Sequence, residues 1–375
     1  MPDLGTQLRD HYDSVITLID PEDIIEGRVA RALQRPPARS PMLGRPGWIV
    51  ALTTAVAVLI VVGGGALAAR LIGAGGVEPA GSVPTKITFS SYAFDDEGWS
   101  DIFVMNPDGT GLSNLTNSQA WDKAPAWSPD GSRIVFVREV FTESESSPVE
   151  MVYLIDADGA NVVRLTEGAN PAWSPQGDRI LFERGTGTNR LDIFVINVDG
   201  TGETNLTNAP SWDGSPAWSP DESRIVFASN RHESPDSCDD ETRLEDCNLE
   251  IWAMNLDGSN PVRLTYEPGI DAFPDWSPDG TRIVFHTARD GVLSSGEGFE
   301  VYVMNADGTN QNNLTNHPGL DGHPNWNPDG TRIVFISNRD DDPIDNDIYL
   351  VNPDGTKLTR LTTSQNGRDS MWPNW

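Results

Sequence analysis

The sequence predicts an all-β protein, a six-bladed β-propeller closed by one blade shared between its N- and C-terminal strands and preceded by a single transmembrane helix. Three observations carry that expectation. A Pro-x-Trp triplet recurs six times, ending at Trp127, Trp173, Trp218, Trp276, Trp326 and Trp375, at intervals of 45 to 58 residues. Asp-Gly pairs (108, 158, 199, 257, 307, 354) and Leu-Thr pairs (115, 165, 206, 264, 314, 361) recur in step with it. An uncharged stretch, residues 47–69, lies ahead of the array. A self-similar period of about 40–50 residues with Gly-bearing turns marks a propeller, one repeat to each four-stranded blade.

Each repeat divides into four short strands. The Pro-x-Trp strand comes first, and a Pro-Asp-Gly turn leads to a second strand of the Arg-Ile-Val-Phe kind, as at 133–136. A loop of variable length reaches the third strand, and the Asp-Gly turn then leads to an outer strand ending in Leu-Thr. Pro pre-sets φ and Gly accepts positive φ, so both turns read as hairpins. The second and third strands are continuous apolar runs, Ile283-Val284-Phe285 and Val301-Tyr302-Val303-Met304 among them. A strand with one wet face alternates; continuous runs mean both faces are covered, as in blades stacked around an axis. The first repeat begins at Lys86-Ile87-Thr88-Phe89 and lacks a Pro-x-Trp strand. The terminal Pro373-Asn374-Trp375 supplies it, so the chain ends are expected to meet in one sheet.

Residues 47–69 at 1.5 Å rise cover ~34 Å, enough for a hydrocarbon core of ~30 Å. Trp48 stands at an interfacial position, and Arg28, Arg31, Arg35, Arg39 and Arg45 precede the stretch. The positive-inside rule then places the amino terminus in the cytoplasm and the propeller outside. The leading region is too long for a cleaved signal peptide. The expected organisation is a cytoplasmic segment 1–45, a transmembrane helix 46–72, a linker 73–83 and the propeller 84–375. Cys238 and Cys247 fall in one loop, and an oxidising compartment would join them in a local disulfide.

The repeat pattern resembles the TolB-like propeller family. It is carried by Trp-Ser-Pro-Asp-Gly-x-Arg-Ile-Val-Phe, nearly complete at 127–136, 276–285 and 326–335, and by Asp/Glu-Ile-Phe/Tyr-Val-Met-Asn-x-Asp-Gly. The resemblance implies a six-bladed propeller over about residues 84–375. Family members carry a small α/β domain at the front, which this chain is expected to lack, with a membrane anchor in its place.

Net charge is −30, nearly all of it in the propeller. So acidic a surface disfavours nucleic acid and suits cations, cationic peptides or basic protein surfaces. The face bearing the strand-two-to-three and blade-to-blade loops is variable and acidic (95–97, 143–150, 236–246, 340–342), so a protein, peptide or cationic ligand is expected there. Within it an acid precedes the inner-strand Trp by five residues: Asp122, Asp213, Asp271 and Asp321, with Asp369 at a shifted place. These carboxylates are expected to ring the channel mouth as ligand groups, with a central calcium as a possible occupant, since Ca²⁺ accepts irregular oxygen cages. The competing reading has each Asp bonded within its own turn. A second set of acids opening the third strands (Asp101, Asp192, Glu250, Glu300, Asp347) is expected to pair with the arginines opening the second strands (Arg133, Arg179, Arg224, Arg282, Arg332).

His317, Asp321 and His323 share one loop and are the candidate set for a transition metal. No Gly-x-Ser-x-Gly nucleophile elbow is present, and the expectation is a protein that is not an enzyme. The functional expectation is a membrane-anchored, extracytoplasmic binding platform. The alternatives are a metal-dependent hydrolase or lactonase on the channel face, or a transmembrane sensor signalling through residues 1–45.

Overall fold

The computed structural model describes residues 85–92, 99–141, 148–187, 190–231, 248–289, 298–340, 346–363 and 370–375. They form six four-stranded antiparallel sheets, each ordered from an inner strand outward. The inner strands are Asp122–Trp127, Ala169–Trp173, Asp213–Trp218, Asp271–Trp276, Asp321–Trp326 and Ser370–Asn374. The last of these pairs with Ile87–Tyr92, setting Thr88 opposite Asn374 and Ser91 opposite Ser370. One blade therefore holds both ends of the array. Its closure is sealed on both flanks: Asn374 Oδ1 accepts from the Trp127 N–H, and the Trp375 N–H donates to Asn325 Oδ1, each at 3.3 Å.

The continuous apolar strands are buried on both faces. Every residue of Ser100–Met105, Ile333–Ser337 and Asp347–Val351 is buried. Phe136, Phe182, Phe227, Phe285 and Phe335 occupy equivalent places and are wholly inaccessible. Apolar clusters run between neighbouring blades, as where Trp276 of one sheet packs on Val226 and Ile251 of the previous one. Burying a phenylalanine of this kind contributes about 1.5–3 kcal/mol.

Two sequence markers meet across each blade junction. The glycine of the Asp-Gly turn takes φ between +79° and +86° in all six repeats. A Cβ at Gly258 would stand 2.1 Å from the Leu206 carbonyl oxygen, and one at Gly308 would stand 2.5 Å from that of Leu264. Both the backbone conformation and the close approach of the neighbouring Leu-Thr strand exclude a side chain there. The preceding aspartate closes the turn: Asp108 Oδ1 accepts from the Thr110 N–H at 3.0 Å and its hydroxyl at 2.6 Å.

Three expectations are corrected. Every element among the described residues is a strand, and no helix there is long and apolar enough to cross a membrane. Residues 1–45, 46–72 and 73–83 lie outside the described residues. The transmembrane helix, the single-pass outward topology that depends on it and the sensor reading therefore find no support among the described residues. Cys238 and Cys247, the expected disulfide pair, also lie outside the described residues. The third-strand acids do not pair with the second-strand arginines. Asp101 accepts from Asn114 and Thr116, Asp347 from Arg360 and Thr362, all contributed by the outer strand or the residues just after it. Arg133, Arg179 and Arg282 instead lie over Trp173, Trp218 and Trp326, 4.7–5.2 Å from the ring centroids.

Candidate functional site

The expected carboxylate ring is not an open site. Asp122, Asp213, Asp271 and Asp321 are completely inaccessible, and each is held by an arginine of its own blade. Arg138, Arg231, Arg289 and Arg339 approach them to 2.6, 2.8, 2.6 and 2.6 Å. These arginines lie on aromatic faces; Arg289, for example, sits 5.0 Å from the Tyr302 centroid. Burial pushes Asp213, Asp271 and Asp321 above the usual carboxylate range while the guanidinium pulls the other way. Their charge is already matched within the fold, which removes the case for calcium. Among the described residues no group of three or more His, Cys, Asp or Glu side chains is placed to hold a metal. Asp369 lies outside the described residues. These arginines stand in the sequence a few residues after each Ile-Val-Phe, but recurrence alone does not set them apart from the arginines that open the same strands.

The His317–Asp321–His323 set does not assemble either. Asp321 is committed to Arg339. His317 Nδ1 accepts from the Gly319 N–H at 3.0 Å, and the His317 backbone N–H donates to Glu300 Oε1 at 2.7 Å. His323 belongs to a different surface, the wall of the central channel. Of the acidic long loops, 95–97, 143–147 and 236–246 lie outside the described residues.

A concave site does form at the opposite end of the channel, where the inner strands run into the tight strand-one-to-two turns. Each inner strand slips register against its neighbour, and the residue at the slip has a left-handed backbone: Ala124, Asn170, Ser215, Phe273, His323 and Trp372, with φ from +44° to +50°. A bulge re-aims the side chain it carries, here into the channel. Left-handed φ is an outlier for bulky residues, and three of these six are aromatic. The cavity so lined encloses about 280 Å³ and includes Pro129 and Pro175 of the turns.

The ring is two-sided. Written as z-Pro-x-Trp, the repeats read Ala-Pro-Ala-Trp, Asn-Pro-Ala-Trp and Ser-Pro-Ala-Trp, then Phe-Pro-Asp-Trp, His-Pro-Asn-Trp and Trp-Pro-Asn-Trp. Three consecutive blades leave space; the next three fill it with rings. His323 is central, with centroids 4.1 Å from Phe273 and 5.6 Å from Trp372. His286, behind it, lies 5.6 Å from His323 and 4.8 Å from Phe299. Burial pulls His323 down to about 3 and takes His286 well below the ordinary imidazole value, so the wall stays uncharged at neutral pH.

The polar x residues each accept from the next blade: Asp275 Oδ2 from the Trp326 N–H at 2.8 Å, as Asn325 and Asn374 do from Trp375 and Trp127. Among the described residues Asp275 is the one carboxylate lining the cavity, and no cationic side chain pairs with it. Burial pushes it up to about 7. On the open side, the buried Ser215 hydroxyl and the Trp127 indole N–H have no hydrogen-bond partner, whereas Trp173 and Trp218 donate to the Ala126 and Ala172 carbonyls at 3.1 and 3.2 Å.

Comparison with known proteins speaks to the scaffold. The family model of the tricorn protease N-terminal β-propeller domain matches residues 246–374. A TolB homolog of Chlorobium luteolum is 34% identical over 202 residues, 52% of this chain and 40% of that one, so the chain spans less than half of that relative's length. The crystal structure of TolB from Acinetobacter baumannii superposes with a TM-score of 0.61 at 20% identity, over 78% of this chain and 68% of that one. Hydrazine synthase of Kuenenia stuttgartiensis gives 0.59 at 16%, over 78% and 46%. At such identities the likeness concerns fold alone. What these matches establish is that the chain carries a distant, TolB-like six-bladed β-propeller.

Proposed function

We propose that this propeller is a binding domain that receives a peptide or protein segment in the cavity at the Pro-x-Trp end of its channel. The observation that carries the proposal is the asymmetry of the bulge ring. Six equivalent backbone positions hold the same left-handed conformation, yet three carry aromatic rings and three carry small or polar groups. Strain concentrated on bulky side chains is a feature of sites where a conformation serves a ligand. The unpartnered Ser215 hydroxyl is a donor and acceptor and the unpartnered Trp127 indole N–H a donor beside the open side, and a peptide backbone supplies complements to both. An acidic surface adds long-range attraction for basic segments.

Catalysis has less behind it. The titratable side chains lining the cavity are Asp275 and His323 among the described residues, and His323 at about 3 is too weak a base to serve near neutral pH. The metal-dependent hydrolase reading rests on His317, Asp321 and His323, and among the described residues no group of three such side chains is placed to hold a metal.

The test is selection of random linear peptides displayed on phage against the full chain, followed by titration of the enriched sequences. Ala217→Trp fills the open half of the cavity from a half-buried position. The expected result is binders whose affinity falls at least tenfold in this variant while its melting temperature is kept. Failure to enrich any sequence, or enriched sequences indifferent to Ala217→Trp, overturns the proposal.

A further inference from the structure

Within that cavity, we infer that Asp275 and the ring wall of Phe273, His323 and Trp372 form a subsite for an alkylated or primary ammonium group, the amino terminus or a lysine-type side chain of the bound segment. The inference rests on the peptide-binding proposal only for the identity of the larger ligand; the subsite itself is argued from its own chemistry.

Four carboxylates at the far end of the same inner strands show what this fold does with a buried acid: each receives an arginine at 2.6 to 2.8 Å. Asp275 receives none. At the equivalent position of the next two blades, Asn325 and Asn374 make the same acceptor bond to the following Trp N–H. The bond therefore does not require a carboxylate, and the negative charge at Asp275 is surplus to the architecture. A half-buried charge on the cavity wall, kept where an amide suffices, is a place for a cation from outside.

Which cation follows from the surroundings. A divalent metal needs several oxygen ligands, and among the described residues lining the cavity Asp275 is a single carboxylate, which supplies too few. The Asp275 carboxylate already accepts from the backbone N–H groups of Trp326 and Trp276, which spoils the parallel two-bond geometry a guanidinium uses. An ammonium needs only charge and a weakly hydrating surface, and aromatic faces attract it through their quadrupole. Phe273 and Trp372 flank an imidazole that remains neutral, so nothing in the wall repels a positive group.

Among the described residues Asp275 and His323 are the titratable groups facing the cavity, with His286 behind the wall. Only Asp275 changes charge near neutrality, so ammonium binding is expected to strengthen from pH 6 to pH 8 and to release a proton.

The probes are choline and its uncharged isostere 3,3-dimethylbutan-1-ol, titrated calorimetrically into the full chain at pH 8, with methylguanidinium as a third arm. The expected result is saturable choline binding at least tenfold tighter than either comparison. Asp275→Asn, which retains the acceptor for Trp326, and Phe273→Leu, which keeps apolar volume without the ring, are each expected to weaken choline tenfold or more. No saturable choline binding, equal binding of the isostere, tighter binding of methylguanidinium, or unchanged affinity in both variants overturns the inference. If choline binds as stated while the peptide selection yields nothing, the peptide proposal alone fails. If peptides bind while choline does not, the subsite alone fails.

Discussion

Asp275 sets stability against ligand capture in a single side chain. Its carboxyl is raised from 3.8 to about 7 by burial, with only backbone N–H groups opposing. The folded state thus holds the proton more tightly than the unfolded chain. That contribution to stability is fully present below pH 4 and is lost as pH rises through 7, a change on the order of 4 kcal/mol. Replacing it with asparagine copies Asn325 and Asn374, keeps the bond to Trp326 and removes the buried charge. Asp275→Asn is therefore expected to melt several degrees above the wild type at pH 8 and level with it at pH 4, read by calorimetry at both pH values. An equal melting temperature at pH 8 would show that the charge is not buried at a cost. The prediction also separates function from folding, since a variant at least as stable that fails to bind choline has lost a ligand group and nothing else. Proteins retain such unfavourable groups at sites of function.

At the scale of the strand pair, the inner and second strands are latched by the acid–arginine contact. Asp271 is fully buried, its carboxylate within 2.6 Å of Arg289. Removing one partner leaves a buried charge unmatched, a loss of about 3–5 kcal/mol, whereas replacing both with apolar or neutral groups of similar size is far milder. Arg289→Met is expected to lower urea-unfolding stability by about that amount at pH 7, and Asp271→Asn with Arg289→Met to restore most of it. At pH 4 the Arg289→Met loss shrinks, because the unpaired Asp271 protonates. A double variant as weak as the single one would place the stabilisation elsewhere. These latches also show how far the sequence spoke. The recurrence of Asp122, Asp213, Asp271 and Asp321 was plain, and so were the arginines after each Ile-Val-Phe. What the sequence withheld was the register that brings them together, since pairing across a hairpin depends on the bulge between them. The same bulge hid the cavity. The change from Ala, Asn and Ser to Phe, His and Trp before the triplet proline stood in the sequence. Its meaning depended on a left-handed turn of the backbone that no residue type there announces.

For the whole molecule the circular array was the most legible property, because it follows from a count: six triplets, six Asp-Gly turns, and a first repeat wanting its inner strand. Burial on both faces of Ser100–Met105 and Asp347–Val351 is the physical counterpart of their unbroken apolar runs. Closure depends on one short strand. Ser370–Asn374 covers the edge of Ile87–Tyr92, while the Ser90 hydroxyl donates to the Met371 carbonyl at 3.2 Å. Asn374 and Trp375 then reach the blades on either side. Deleting residues 370–375 removes all of these contacts at once, together with Trp372 from the ring wall. It leaves an unpaired strand edge beside an apolar core, the geometry that invites pairing with another chain. The truncated protein is expected to melt at least ten degrees lower and to run partly as dimers or larger species on gel filtration. Adding a synthetic peptide of residues 366–375 in excess should reverse both effects, since its binding to the folded state alone shifts the equilibrium by mass action. A truncated chain that melts with the intact one and stays monomeric would mean that the five remaining inner strands hold the ring without a clasp. The aromatic wall would then have to be rebuilt from Phe273 and His323, and choline binding by that truncated chain would measure how much Trp372 contributes.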